Sequence, residues 1–220
     1  MKLVLFDCDG TLIDSAHVIH ASMEKTFAEE GLAVPELHHT KSIIGLTLDK
    51  AFSVLMQEEI NDRIVNMVVR YKHHSLTMRE EQEVHEPFYD GVWDLLDELR
   101  GRDDILLGVV TGKSRRGLDN LLARHGLEKA ILTSRTADEC PSKPHPAMVL
   151  ECCRDVGVDA VDTIVVGDAI YDMQMARSAA ARAIGVTWGY STPDELTEAG
   201  AHSTISHPSE VLDHLMGVAE

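Results

Sequence analysis

The sequence predicts an α/β fold: a doubly wound, parallel, Rossmann-like sheet with a helical segment inserted after the first strand. Three observations predict it. Short apolar runs recur at residues 3–6, 105–110, 130–133, 163–166 and 183–187, each closed by small or polar residues. Stretches of helical period separate the later runs, and strands that read as continuous apolar runs are those buried on both faces of a parallel sheet. From residue 15 to about 86 this alternation stops, and the pattern is helical throughout.

Taken in order, the first strand, residues 3–6, stops at Asp7. Residues 16–30 form a helix closed by Gly31, residues 48–58 an amphipathic one, and residues 62–83 a long, heavily charged one. About 70 residues without a strand must carry structure of their own. The chain therefore divides into a core of residues 1–14 and 88–220 and a helical insert of residues 15–87. Short linkers join them near residues 12–15 and 84–89, with Pro87 stiffening the return. The core then alternates: strand 105–110, helix 114–125 stopped by Gly126, strand 130–133, helix 146–156, strand 163–166, helix 170–181, strand 183–187.

Composition narrows the function. The 220 residues carry 20 Lys and Arg against 37 Asp and Glu, a net charge of −17. Such a chain repels nucleic-acid backbones and anionic membranes, whereas a few cations clustered in one pocket still admit a small phosphorylated metabolite. No apolar run approaches the ~20 residues of a membrane span, and the first run is too short for a signal peptide. Four cysteines without a CxxC pair describe neither a disulfide framework nor a zinc site, and reduced thiols imply the cytoplasm. Residues 62–83 could face solvent or a second copy, so monomer and homodimer are both open.

Four short motifs carry the chemistry. The first strand runs into Asp7-Cys8-Asp9-Gly10-Thr11. In extended chain Asp7 and Asp9 share a side while Cys8 points away, and Gly10 lets the backbone turn. Two close carboxylates cannot both ionise cheaply, so one is held by a metal while the other exchanges a proton. The second strand ends in Thr111-Gly112-Lys113, a hydroxyl and free amides at a strand-to-helix junction that can seat phosphate. Lys143, fixed before Pro144, is a held cation. Asp168 ends another apolar strand, with Asp172 four residues on, and supplies a hard oxygen ligand. Taken singly, the same residues also describe a surface Asp/Gly turn, a helix cap and a loop lysine.

Taken together and in this order, DCDGT, VVTG, SKPHP and GDAIYD resemble the haloacid dehalogenase-like hydrolase superfamily over essentially the whole chain. The segments DGTLIDS, PFYDGVWDLLDEL and the tail from Gly185 look most like its phosphoglycolate phosphatase-like branch, with a C1-type helical cap. The resemblance implies a Mg²⁺-dependent phosphatase acting on a small phosphate monoester. Asp7 would be the nucleophile and would form an aspartyl-phosphate, with Asp9 the acid and base. Thr111, Lys143 and the amides near Cys8, Asp9 and Gly112 would hold the phosphoryl oxygens. Asp7, the carbonyl of Asp9, and Asp168 would bind the metal, with Asp172 orienting a water or Lys143 from behind. An Asp at position 9 argues for phosphoryl rather than carbon–halogen chemistry.

The insert would set the substrate. The loop of residues 42–47, where Gly45 permits close approach, either reaches the active site or merely caps the next helix. Lys41, Lys50 and Lys113 to Arg116 are candidates for a second anion site, with glycolate phosphate the leading substrate. A phosphosugar mutase of the β-phosphoglucomutase type uses the same Asp pair, and a non-catalytic phosphoacceptor or protein-binding module could use the same scaffold.

Overall fold

A computed structural model describes residues 1–81 and 86–215. Strand β1 (Lys2–Phe6) is followed by helices α1 (Ala16–Glu29), α2 (Leu37–Ile43), α3 (Leu48–Met56) and α4 (Asp62–Glu81). The chain then alternates: α5 (Val92–Arg100), β2 (Ile105–Val110), α6 (Arg115–His125), β3 (Ile131–Arg135), α7 (Ala147–Val156) and β4 (Thr163–Gly167). It ends with α8 (Ile170–Ser178), β5 (Arg182–Val186), α9 (Pro193–Glu198), β6 (Ser203–Ile205) and α10 (Val211–Leu215). The expected strands stand within two residues of their predicted bounds.

The six strands form one parallel sheet in the order β3-β2-β1-β4-β5-β6. Its two faces divide the side chains of β1 by strict alternation. Val4 and Phe6 pack with Leu95, Leu99 and Leu118 of α5 and α6. Leu3 and Leu5 pack on the opposite face with Met148, Cys152 and Met173 of α7 and α8. Burying both faces is what turns β1 into an unbroken apolar run. Each large side chain wholly withdrawn from water there contributes about 1.5–3 kcal/mol. Helix α6 begins where the Ser114 hydroxyl accepts the Gly117 N–H at 3.2 Å, and Gly126, at φ 64°, ends it.

Helices α1–α4 gather round a cluster of their own, built on Met23, Phe27, Phe52, Ile64, Met67 and Tyr71. Phe52 stacks on Phe27 at 5.9 Å and meets the edge of Tyr71 at 6.1 Å. This turns α4 inward on one side, while Val65 and Val69 on its other side stay exposed. The sequence reading missed α2, whose His38-His39-Thr40-Lys41 stretch has no apolar period. It also missed β6, too short at three residues to make a run.

Where the chain crosses between these helices and the sheet, its two passes pair. The Asp14 N–H donates to the Pro87 carbonyl at 2.9 Å, and the Tyr89 N–H to that of Leu12 at 3.0 Å. Ile13 and Phe88 bridge antiparallel between them. Residues 84 and 85, where the expected return linker begins, lie outside the described residues, as do the last two residues of the predicted helix 62–83 and residues 216–220 of the expected core.

Candidate active site

A parallel sheet delivers every strand's carboxyl end to one edge, so Phe6, Val110 and Gly167 hand over there to Asp7, Thr111 and Asp168. The Asp7 N–H donates to Val166 O at 3.0 Å, which carries the β1–β4 ladder one residue beyond the strand. The chain then folds over Gly10, at φ +88°. A Cβ there would lie 2.2 Å from Asp168 Oδ2, and one on Gly189 equally close to the Asp168 Cβ. Only glycine lets the backbone approach Asp168 from both sides.

Lys143 is wholly buried between two carboxylates, its Nζ 2.6 Å from Asp172 Oδ1 and 2.9 Å from Asp7 Oδ1. Burial alone would lower its pKa, but Asp172 and then Asp7 outweigh that and hold the ammonium charged above the ordinary lysine range. Asp172 is used up by its neighbours, since Oδ1 accepts from Lys143 and Oδ2 from the Ala169 N–H at 3.1 Å. Asp168 accepts from the Thr11 hydroxyl at 2.8 Å and from the Tyr190 N–H at 3.0 Å. Burial, followed by the charges of Asp7 and Asp172, pushes it well above the usual carboxylate range.

Asp7 differs from both. It is buried, its Oδ1 meets the Lys143 ammonium at 2.9 Å, and its Oδ2 has no partner among the described residues. Burial is the largest influence on Asp7; Lys143 opposes it, Asp172 and Asp9 reinforce it, and its pKa rises to about 7. Oxygens of Asp7, Asp168 and Asp172 all lie within 4.8 Å of one another.

Asp9 has the opposite electrostatics. Its Oδ1 accepts from Lys113 Nζ at 2.6 Å and from the Ser15 hydroxyl. Burial would raise its pKa, but Lys113 outweighs burial and holds Asp9 below the ordinary range. Lys113 lies in turn 3.7 Å from Glu86, which pairs with Arg79 of α4 at 2.8 Å. Four alternating charges thus run from the strand end to the helical insert.

The remaining expected residues fall in place or beside it. Thr111 is fully buried, its Oγ1 accepting the Lys113 N–H at 3.2 Å. The Cys8 side chain packs into the apolar core, and burial pushes its thiol far up, so only its backbone faces this edge. The loop of residues 42–47 leads into α3 with Thr47 at its N-cap position but without a side-chain cap, and it docks on the sheet's edge: the Thr47 N–H donates to Ser142 Oγ at 3.0 Å, and Tyr171 Oη to the Ser42 carbonyl at 3.2 Å. Gly112 meets this loop so closely that a Cβ would lie 2.8 Å from Leu46 O and 2.9 Å from Gly45 O.

Of the basic candidates, Lys113 belongs to Asp9, and Lys41 sits over the Tyr190 ring at 5.4 Å. Arg115 turns away to Ser134 and Glu139. Lys50 and Arg116 line a cleft of about 1170 Å³ that opens from Asp9 between the helical insert and α6. Sequence reasoning missed Thr11, Ser15, Glu86 and Tyr190. Thr11 and Ser15 stand inside or beside the first motif and were within reach, whereas nothing in the sequence ties Tyr190 to Asp168.

Comparison with known proteins agrees with this geometry. The profile of the family described as haloacid dehalogenase-like hydrolase matches residues 4–186. A probable phosphatase, IndB, of Dickeya dadantii is 33% identical, with 96% of this chain and 91% of that one covered. A phosphoglycolate phosphatase of Agrobacterium fabrum is 30% identical over 86% and 82% of the two chains. An N-acetylmuramic acid 6-phosphate phosphatase of Pseudomonas aeruginosa is 28% identical over 98% and 95%. Among solved structures, a haloacid dehalogenase-like family hydrolase from Streptococcus pneumoniae shares the fold at TM-score 0.83, with 22% identity and coverage of 98% and 99%. On these grounds the chain belongs to the haloacid dehalogenase-like hydrolases, in the phosphoglycolate phosphatase-like branch.

Proposed function

We propose that the protein is a Mg²⁺-dependent phosphatase that transfers the phosphoryl group of a small monoester to Asp7 and then to water. The single observation behind this reading is Asp7: a buried carboxylate, raised to about 7, whose Oδ1 meets a buried lysine while its Oδ2 has no partner among the described residues. A carboxylate is not left so without a ligand to complete it. A divalent cation fits these residues, because the donors are hard oxygens and Asp168 stands beside Asp7 with its own hydrogen bonds fixing its orientation. Asp7, Asp168 and the Asp9 carbonyl would hold Mg²⁺, with Asp172 orienting Lys143 or a water from behind. When bound, Mg²⁺ supplies positive charge that lets an anionic carboxylate approach an anionic phosphate.

The chain's own groups do the rest. An Asp7 oxygen attacks phosphorus as the ester P–O bond breaks, and the Asp9 carboxyl gives its proton to the departing alcohol oxygen. Water then attacks phosphorus, the Asp7 oxygen leaves, and Asp9 takes up the water's proton. Lys143 and Thr111, with the amides of Cys8, Asp9 and Gly112, bind the phosphoryl oxygens. Lys113 holds Asp9 ionised, the form the second half needs. The first half needs this carboxyl protonated, and the proton it passes to the alcohol arrives with the substrate as a monoanionic ester. Helices α1–α4, within residues 15–87, act as a cap over a core of residues 1–14 and 88–220. Four free, buried cysteines suit the cytoplasm.

The test is phosphate release from a panel of monoesters and pyrophosphate, with and without Mg²⁺, against Asp7→Asn. Mg²⁺-dependent release abolished in Asp7→Asn supports the reading. Label retained on Asp7 without release indicates a mutase, and neither release nor label overturns the enzyme reading.

A further inference from the structure

The cleft beside Asp9 has a volume of about 1170 Å³ and opens to solvent, leaving room for more than a two-carbon alcohol. Six Lys and Arg line it against four Asp and Glu, in a chain whose net charge is −17. Such local inversion of charge in a low-dielectric cleft attracts anions that the rest of the surface repels.

The cations are ordered rather than scattered. Arg116, Asn120 and Arg124 stand at successive intervals of four on α6, and all three line the cleft. Residues so spaced share one helix face, and this one extends about 12 Å away from the Thr111 end. Lys72 and Arg79 of α4 stand on the facing wall, with Lys72 reaching Asp138 across the gap at 3.5 Å. Ile19, Met23, Val68 and Tyr71 give the insert's side an apolar floor. A leaving group meeting these walls has a body to cover the floor and a negative charge for the arginines.

We propose that the substrate's alcohol half is sugar-sized and carries its own carboxylate or phosphate, held on the Arg116–Asn120–Arg124 face of α6, while Lys72 and Arg79 of α4 stay with Asp138 and Glu86. This rests on the phosphatase reading above and replaces glycolate phosphate as the leading substrate. Arginine forks bind carboxylate and phosphate alike, and the distance from Asp9 decides which esters reach both ends.

The experiment compares kcat/KM for 6-phosphogluconate and glucose 6-phosphate, which share a six-carbon frame and differ in the charge of the alcohol half, with p-nitrophenyl phosphate as a general ester. A preference for the acidic ester of about tenfold or more is expected at low salt, and it shrinks in 0.5 M NaCl as exposed arginines are screened. The Arg116→Gln/Arg124→Gln double variant should bring the two esters to within about twofold, and Arg124→Gln alone, used in case the double variant does not fold, should narrow the preference at least about twofold. Equal kcat/KM in the wild type, or a preference untouched by salt and by both variants, overturns the subsite while p-nitrophenyl phosphate turnover leaves the phosphatase standing. No turnover of any ester overturns both.

Discussion

Lys113 Nζ lies 2.6 Å from Asp9 Oδ1, so the side chain expected to exchange protons with substrate is paired before substrate arrives. Both groups are nearly buried, and removing one partner leaves the other a lone charge in poor solvent. Lys113→Met should therefore lower stability in urea by about 3–5 kcal/mol at pH 7. Its pH dependence is fixed by sign. Asp9 is held below its ordinary value and Lys113 above its own. The pair's contribution is full between their unfolded values, 3.8 and 10.5, and fades outside that window. The gap between wild type and variant should narrow as pH falls below 3.8; a gap unchanged at pH 3 contradicts the pairing.

Asp7 should act in the opposite direction. Its pKa in the folded protein is about 7 against 3.8 unfolded, so between these values the folded state binds the extra proton. Stability of the metal-free protein then falls as pH rises through this window, by at most about 4 kcal/mol from this group. Asp7→Asn, which cannot ionise, should flatten that slope in denaturation curves taken from pH 4 to 8. A parallel pair of curves would show that Asp7 titrates normally.

Mg²⁺ should stabilise the folded chain through the same carboxylates. At a hundred times its Kd a ligand adds about 2.7 kcal/mol, a Tm rise of about 5–10 °C for a chain of this length. The rise should be smaller at pH 5.5 than at pH 8, because protons compete for Asp7. Asp168→Asn should abolish it. Calorimetry with and without Mg²⁺ decides, and a rise that survives in the variant would place the ion elsewhere.

Gly112 tests the contact between insert and sheet edge. A Cβ there meets two backbone oxygens, of Gly45 and Leu46, closer than real Cβ contacts run. Gly112→Ala should push the loop of residues 42–47 outward, costing about 1–3 kcal/mol of stability. Ester hydrolysis should fall by more than that loss explains if, as proposed, the Gly112 amide binds phosphate. Unaltered kinetics would detach this loop from the site.

What was readable in advance follows from range. The strands were legible because burial on both faces leaves apolar runs, and Asp7 and Asp9 because two residues in extended chain settle which side each takes. Thr111, Lys143, Asp168 and Asp172 stood where four motifs in order put them. The Lys113–Asp9 pair was not legible: Lys113 read as part of a basic cluster with Arg115 and Arg116, and these three side chains go three ways. Only the packing of α6 against the sheet decides which way each one turns. Tyr190 and Glu86 reach the site from loops whose course no local pattern encodes.

The sheet's order also sets a clock. Strand β1 is made first but lies in the middle, flanked by β2 and β4 from about 100 and 160 residues later. A chain emerging from the ribosome at ~5–20 residues per second therefore carries Asp7 for roughly 7 to 40 seconds before Lys143, Asp168 and the Tyr190 amide exist to surround it. A product of synthesis that stops before β4 lacks Asp168 and leaves β1 without one of its two neighbours, an exposed apolar strand for chaperones to find.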